Sequence, residues 1–444
     1  MISPLKNRTF RRLYTAQVIA LAGTGLATVA LGLLAYDLAG ADAGMVLGTA
    51  LAIKMIAYVG VAPIANAFVD RLPRRLFLVV MDLVRAIIAL VLPFVDQVWQ
   101  IYLLIFVLQA ASAAFTPAFQ AAIPDVLPEE AEYTKALSLS RLAYDLESLL
   151  SPTVAAALLT VISFHWLFGG TALGFAASAA ILVSTAVPQP RAVEHHRNVY
   201  DRTTRGVRIY LATPRLRGLL ALSLSVAAGG AMVIVNTVVY VQGVFGRPES
   251  DVALALALFG GGSMTVALVL PLLLGRIESR PVMLGGAVLM AATLLLLGWR
   301  AAGEGVDWYA LLAGWFALGF GYSAVLTPSA RLLRRSADQR DRPALFAAQF
   351  ALSHACWLLT YPLAGWLATD GQMTSAFLVM GGLTVAGALA TPLLWPTDDP
   401  QAVEHFHNDL PADHPHVRNA ERTTKGLRHA HDFVIDDVHR EWPG

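Results

Sequence analysis

Charged side chains are scarce in this chain: Asp, Glu, Lys and Arg supply 14% of its 444 residues, while 56% are apolar. A soluble domain carries about 25% charge. So thin a polar complement cannot cover a water-exposed surface, which excludes an ordinary soluble globule and implies solvation by lipid. Cysteine is nearly absent. The single Cys356 excludes an intramolecular disulfide framework and any thiolate zinc ribbon. Neither sign of charge is in excess, the net being +1, so nothing global marks a nucleic acid as partner, and no obligate protein partner is evident. A Walker loop, a dinucleotide fingerprint and a nucleophile–base pair are also missing. An enzyme is therefore not expected, and no resident cofactor is implied. The basic start, Met1 to Arg12, runs into apolar sequence without a short h-region and cleavage site. The first helix is expected to stay as an uncleaved anchor.

What is abundant is long apolar sequence. A helix crossing hydrocarbon needs about 20 mainly apolar residues, and twelve stretches qualify: 12–37, 43–69, 76–95, 98–121, 136–161, 165–187, 216–243, 250–274, 281–299, 306–330, 343–368 and 373–395. The expected fold class is an all-α membrane protein of twelve transmembrane helices. An even number of spans puts both termini on one side. Positive charge selects the side: with the termini cytoplasmic, 27 of the 32 Lys and Arg lie in cytoplasmic segments, and only Arg247 and Arg300 lie in outer connections. The chain is expected in a bacterial-type inner membrane with both ends inside.

The sequence also repeats itself. Thr116-Pro117 recurs as Thr327-Pro328, Pro152 as Pro362, Ala192-Val193-Glu194-His195 as Ala402-Val403-Glu404-His405, and Arg202-Thr203-Thr204-Arg205-Gly206 as Arg422-Thr423-Thr424-Lys425-Gly426. Four matches at nearly one offset argue for duplicated six-helix halves enclosing a central site. The expected organisation is a first half over 1–187, a linker over 188–215, a second half over 216–395 and a polar tail over 396–444. Between the second and third spans, Val69-Asp70-Arg71-Leu72-Pro73-Arg74-Arg75 resembles the loop signature of the major facilitator superfamily, with Asn66 where that pattern has Gly. Phe115-Thr116-Pro117-Ala118-Phe119-Gln120 followed by Ile123-Pro124 resembles the branch containing the enterobactin exporter. The resemblance implies alternating access by rocking of the two halves, usually coupled to protons, with Asp70, Arg71, Arg74 and Arg75 as a gating loop. The second-half counterpart, Arg276 to Pro281, lacks the Asp.

Charges inside spans cost about 3 kcal/mol each at the bilayer centre, so those that remain need a reason. Lys54, Asp82, Arg85, Arg141, Asp145 and Glu147 all lie within predicted spans of the first half. Asp82 and Arg85 share a helical face at three-residue spacing and read as a structural pair. Arg141 and Asp145 are four apart, and Glu147 lies on the opposite side of the helix. One carboxylate can pair with Arg141, leaving the other for Lys54 or for a substrate. A carboxylate held between burial, which favours its neutral form, and a nearby cation, which favours its charged form, is suited to carry a proton. Asp145 or Glu147 is the expected carrier, against a purely structural network. In the second half Asn236, Gln349, His354 and Cys356 are candidates. His354 reads either as a titrating or metal-binding group in a cavity or as a histidine satisfied within the bundle, by Ser353 or Tyr361 for instance. Cys356 reads as a small buried hydrophobe.

Seven of the eleven histidines crowd the last forty residues: His405, His407, His414, His416, His429, His431 and His439. Three His-x-His pairs with interleaved carboxylates such as Asp413 suit Ni, Co or Zn; the alternative is a solvated tail with incidental histidines. Together with Tyr14-Thr15-Ala16-Gln17 and the run Leu139-Ser140-Arg141-Leu142-Ala143-Tyr144-Asp145-Leu146-Glu147, the tail resembles the bacterial nickel-resistance permeases. That resemblance implies efflux of Ni²⁺, with Co²⁺ as a second candidate cation, driven by the proton gradient. A small divalent cation is then the substrate and the bilayer the main partner. Two other readings stand beside it: export of a small organic molecule such as a drug or siderophore, and a metal sensor that no longer transports.

Overall fold

The computed structural model describes residues 3–69, 73–188, 199–273, 276–338, 341–369, 373–397, 402–407, 420–424, 426–436, 438–439 and 442. Among them are thirteen α-helices: α1 (Arg8–Ala39), α2 (Ala43–Val69), α3 (Arg74–Val91), α4 (Val98–Val126), α5 (Glu130–Leu159), α6 (Phe164–Val183), α7 (Val199–Ala212), α8 (Pro214–Val238), α9 (Glu249–Leu273), α10 (Ser279–Ala302), α11 (Trp308–Arg335), α12 (Arg342–Leu367) and α13 (Met373–Leu394). All but α7 are long. Ten stretches are long and apolar enough to cross a membrane, and the first, Arg8–Val61, takes in both α1 and α2. The remaining long helix is α5, the one that carries Arg141, Asp145 and Glu147.

Local sequence sets the helix ends. Asn7 caps α1, its side chain accepting hydrogen bonds from the Thr9 and Phe10 N–H groups at 3.0 and 3.1 Å, and Asp307 caps α11 through the Ala310 N–H at 2.9 Å. Both satisfy first-turn donors that no helix can bond internally. Proline opens α8 and α12, where its missing N–H costs nothing.

The neighbours of each helix are duplicated. In the first half α1 packs on α6, α3 on α6, α2 on α4 and α3 on α4; in the second α8 packs on α13, α10 on α13, α9 on α11 and α10 on α11. The halves meet through α2 against α12 and α5 against α9, again a symmetric set. The Arg-Thr-Thr repeat does not share this symmetry. Arg202–Gly206 lies within α7, whereas Arg422 and Thr423 close β2 (Glu421–Thr423) and Gly426 opens β3 (Gly426–Asp432). The same pentapeptide follows its flanks: apolar residues such as Val207, Ile209 and Tyr210 hold the first copy as a helix face against α12. The second copy is drawn into antiparallel pairing. That match therefore carries no weight as structural duplication, and its partner at Ala192–His195 lies outside the described residues.

A buried polar centre braces the first half. Asp82 and Arg85 of α3 form an ion pair, and the Ser178 hydroxyl of α6 donates to Asp82 at 2.6 Å. The Arg85 guanidinium sits between the rings of Phe115 and Phe175, 4.3 and 4.5 Å from their centroids. Three helices thus share one charge couple enclosed by aromatic faces.

The described parts of the tail form a sheet and dock on the bundle. A three-stranded antiparallel sheet, ordered β1-β3-β2 with β1 at Ala402–His407, leads into a segment whose Phe433, Ile435 and Trp442 join the main apolar core. Arg215, in the first turn of α8, lies under the Trp442 ring at 4.9 Å and donates to the Phe433 carbonyl at 3.4 Å. Asp436 accepts from the Val438 and His439 N–H groups at 2.8 and 2.6 Å and contacts the His439 ring nitrogen at 3.1 Å. Burial pushes the Asp436 carboxyl upward, but these hydrogen bonds and the His439 charge outweigh it and hold its pKa at about 2.

Removing one member of a buried pair leaves the other charge stranded, which costs about 3–5 kcal/mol. Asp82→Ala is expected to lower the melting temperature of the detergent-purified protein sharply, while Asp82→Leu with Arg85→Met recovers most of the loss. Equal losses would show that the pair is not the source. For the tail, a carboxylate whose pKa is depressed on folding stabilises above its ordinary value near 3.9 and loses that contribution as pH falls toward 2. Protection of the C-terminus from carboxypeptidase should therefore hold from neutral pH down to about 4 and fail below it. Asp436→Asn should weaken protection already at neutral pH.

Candidate substrate and coupling site

The site begins where the halves touch. At the end of the bundle away from the termini, α2 and α12 approach so closely that only glycine fits. A Cβ on Gly365 would collide with the Gly44 carbonyl, and one on Gly48 with the Tyr361 carbonyl. Asn236 of α8 is fully buried beside them and donates to the Ala364 carbonyl at 3.1 Å. Its Oδ1 has no hydrogen-bond partner and would lie 2.8 Å from a Cβ on Gly44. The expected cavity residue Asn236 is therefore enclosed in the seam. At the same end the Glu249 carboxylate of α9 hydrogen-bonds the Phe164 backbone at the start of α6.

Deeper in the bundle the helices carry a polar group. Lys54 of α2 and Glu147 of α5 lie within electrostatic reach of each other, and Tyr58 of α2 lies within reach of Tyr144 and Glu147. Lys54 and Glu147 are half-buried. Space beside Glu147 comes from Gly25 of α1, where a Cβ would stand 3.0 Å from the Glu147 Oε1 and closer still to the Ser151 hydroxyl. The sequence singles out Lys54 and Glu147 because their charges are costly. Gly25 carries no such signal. The side chains of Arg141 and Asp145 lie outside the described residues, as do Asp70 and Arg71.

Facing this group, α12 presents an aromatic stripe. Phe350, His354, Trp357 and Tyr361 recur at spacings of four, three and four, which is one face of a helix. The Tyr58 ring lies 5.9 Å from Phe350 and 6.1 Å from His354, so the stripe meets α2 across the division between halves. Trp357 and Tyr361 stand 4.8 Å apart, and Tyr322 and Phe259 continue the row at 6.4 and 5.4 Å. Gly230 of α8 leaves room for the Trp357 ring. The stripe was readable from its periodicity, yet in so apolar a chain aromatic spacing does not stand out from core packing.

His354 is engaged locally: its Nδ1 lies 2.7 Å from the Phe350 carbonyl and 3.5 Å from the Ser353 hydroxyl, and its ring stacks 3.8 Å from Phe350. Gln349 accepts from the Tyr210 hydroxyl at 2.5 Å and donates to Ser223 at 3.4 Å, tying α7, α12 and α8 together. Cys356 lies on that side, near Tyr210, with its thiol 3.6 Å from the Leu352 carbonyl. His354 and Cys356 are 200 degrees apart around α12 and do not converge. Among the described residues, no three His, Cys, Asp or Glu side chains come together as a metal site requires.

At the end bearing the termini, Arg74 is buried and pairs with Asp125 of α4 at 2.6 Å, while also reaching the Pro188 carbonyl at 3.3 Å. Arg75 is exposed. Arg205 of α7 grips Asp341, the residue preceding α12, through two hydrogen bonds of 2.6 and 2.7 Å, and Gly206 lets the two helices touch. Of the tail candidates, His405, His407, His429 and His431 lie on strands, His439 is buried beside Asp436, and His414, His416 and Asp413 lie outside the described residues.

Residues 13–280 and 219–414 match the sequence model of the Major Facilitator Superfamily. Curated relatives include an uncharacterized MFS-type transporter, YfiS, of Bacillus subtilis, 28% identical over 120 residues, or 27% of this chain and 28% of that protein. Macrolide efflux protein A of Streptococcus pyogenes is 25% identical over 185 residues, 40% of this chain and 45% of its own length. Its Enterococcus faecalis namesake is 26% identical over 153 residues, 32% and 47%. The matched segments thus span less than half of these relatives. Among solved structures, the nucleoside transporter NupG superposes with a TM-score of 0.67 at 13% identity, over 87% of this chain and 98% of its own. A D-xylose–proton symporter does so with 0.65 at 14% identity, over 88% and 98%. With twelve long helices in two matching halves and a family match across nearly all of them, the chain belongs to the Major Facilitator Superfamily.

Proposed function

We propose that this chain is a proton-coupled exporter that carries an amphiphilic organic molecule out of the cytoplasm by alternating access. The observation that carries this reading is the aromatic stripe of α12 set against Lys54, Tyr58 and Glu147. Aromatic faces bind apolar bodies and organic cations, and an acid–base couple at their edge supplies orientation and a proton site. The macrolide efflux relatives support an organic cargo and the outward direction.

In this reading both termini and the Arg74–Arg75 loop are cytoplasmic, in the inner membrane, and the halves over 1–187 and 216–395 rock about the site. The glycine seam of Gly44, Gly48 and Gly365 closes the outer end, leaving cargo to enter from inside. Protonation of Glu147 weakens its attraction to Lys54, and loss of that proton restores it. Alternation between the two couples proton entry to cargo exit. Arg205 and Asp341 hold the linker helix to the second half while it moves. Nickel efflux, favoured by the tail histidines, is the competing reading.

Inside-out membrane vesicles separate the two. With an imposed proton gradient, uptake of a radiolabelled macrolide or of ethidium is expected in vesicles carrying the protein, and to fall at least tenfold in Glu147→Gln and Lys54→Met. Nickel uptake without organic uptake would sink the organic reading. The seam has its own test. Gly365→Leu is expected to abolish transport at normal expression, whereas Gly60→Leu, with open space around it on α2, retains it. Transport by Gly365→Leu would show that the seam need not close.

A further inference from the structure

The loop that follows α8 is braced within its own half. Beyond Val238 the chain makes one π turn, Val239–Val244, a wide winding found mostly as single turns and often at functional places. Tyr240 packs on Phe245 at 5.2 Å, and Phe245 on Trp308 at 5.8 Å. Arg247 lies over the Trp308 ring at 4.3 Å and binds Asp251 at 2.6 Å. The cation nearest to Glu249 in sequence is thus committed to the second half, while Glu249 itself bonds to the first.

In that first half α6 begins without a cap of its own. The first N–H groups of a helix have no internal partner, and the side chain of Ser163, at the capping position, makes no hydrogen bond to them. Instead the Phe164 N–H donates to the Glu249 carboxylate. The helix dipole favours a carboxylate at that place. His165, exposed in the first turn of α6, lies within electrostatic reach and adds attraction when protonated; Asp37, exposed near the end of α1, opposes it. Glu249 is half-buried, so water screens these interactions only in part. Nearby, a Cβ on Gly243 in the π turn would meet the Tyr36 hydroxyl of α1 at 3.5 Å. The same π turn packs on the short turn Gly40–Asp42 between α1 and α2.

We propose that Glu249 is the latch of the outer gate: a carboxylate of the second half that caps α6 of the first and holds the end away from the termini closed. The glycine seam between α2 and α12 brings backbones together without charge, and the latch adds a charge-assisted hydrogen bond across the division. Its two partners lie at the mouth, where water can replace each of them, and Asp37 offsets part of the attraction. The latch therefore holds the closed state without locking it. The proposal rests on the alternating access of the reading above and not on the cargo.

Spin labels at Val161→Cys and Glu304→Cys, exposed positions at that end of the two halves, are placed in the Cys356→Ala protein. The distance between them is measured in nanodiscs without cargo. Glu249→Ala is expected to shift the ratio of long to short distances about tenfold toward the long, as for loss of one hydrogen bond to a charged group. Ser163→Asp is the discriminating variant. An aspartate there caps the second and third N–H groups of α6 from within its own half and puts a like charge beside Glu249. It is expected to lengthen the distance without lowering the melting temperature. Combined with Glu249→Ala, it should leave the long distance in place. If Glu249 only stabilised α6, that combination would restore the short distance, and such a result would overturn the latch. So would an unaltered distance in Glu249→Ala where Gly365→Leu, which parts the seam, lengthens it; the outer end then moves, and alternating access stands without this latch. Should Glu249→Ala not fold, Glu249→Gln replaces it with an expected shift of about threefold, and no shift counts against the proposal.

Discussion

Within a bilayer a charged group has no water to turn to, and the distribution of charge in this chain follows from that constraint. The described intramembrane charges are few, and each has company. Asp82 has Arg85 and Ser178, with Phe115 and Phe175 closing around the guanidinium. Lys54 has Glu147 within reach, with Tyr58 and Tyr144 beside them. The first group is sealed inside one half and braces it. The second is half-buried where the two halves meet, and on the proposed reading its members exchange partners as the halves move. The same physical cost thus yields a sealed strut in one place and a half-buried couple in another, and what distinguishes them is position relative to the division between halves.

That division is built from small residues and backbone. Gly44 and Gly48 on α2 meet Tyr361 and Gly365 on α12 with almost no side chain between them. Apolar side chains gain little from meeting each other in lipid, so helix contacts there rest on close van der Waals approach. A glycine seam provides that approach and can separate without breaking an ion pair. Further along α12, the stripe widens into Tyr361, Trp357, His354 and Phe350, where rings replace glycines and space for a cargo can open. On the proposed reading, one helical face serves as gate at one end and as binding surface along the rest.

Much of the architecture was legible beforehand. The twelve spans follow from hydropathy because lipid imposes one length scale on every crossing helix, and the pairing of halves follows from Thr-Pro and Pro matches placed 210 residues apart. The tail was not. Its histidines invite a reading as a loose polar extension, yet Phe433 and Ile435 are core residues with Trp442 packed against them, and Arg202–Thr203 and Arg422–Thr423 take different structures from the same letters. Short polar motifs adopt the conformation that their apolar neighbours can bury.

The site divides in the same way. Lys54, Asp82, Arg85 and Glu147 declare themselves in the sequence, since an ionisable residue in an apolar run is conspicuous one residue at a time. Which of them pair, and whether a pair is locked or free to exchange, depends on helices brought together from distant parts of the chain. Asn236 looks like a cavity residue and is a buried seam contact; His354 and Cys356 look like neighbours and face apart around α12. Gly25, Gly365 and the aromatic stripe carry no charge, so nothing in the sequence raises them above the apolar background. Composition and periodicity determined the solvent, the number of spans and the presence of a duplicated bundle, because those depend on local hydrophobicity alone. The partners of each charge, the closed seam and the docking of the tail on α8 were decided only by tertiary contact, because each depends on which residues meet across a gap that no local rule spans.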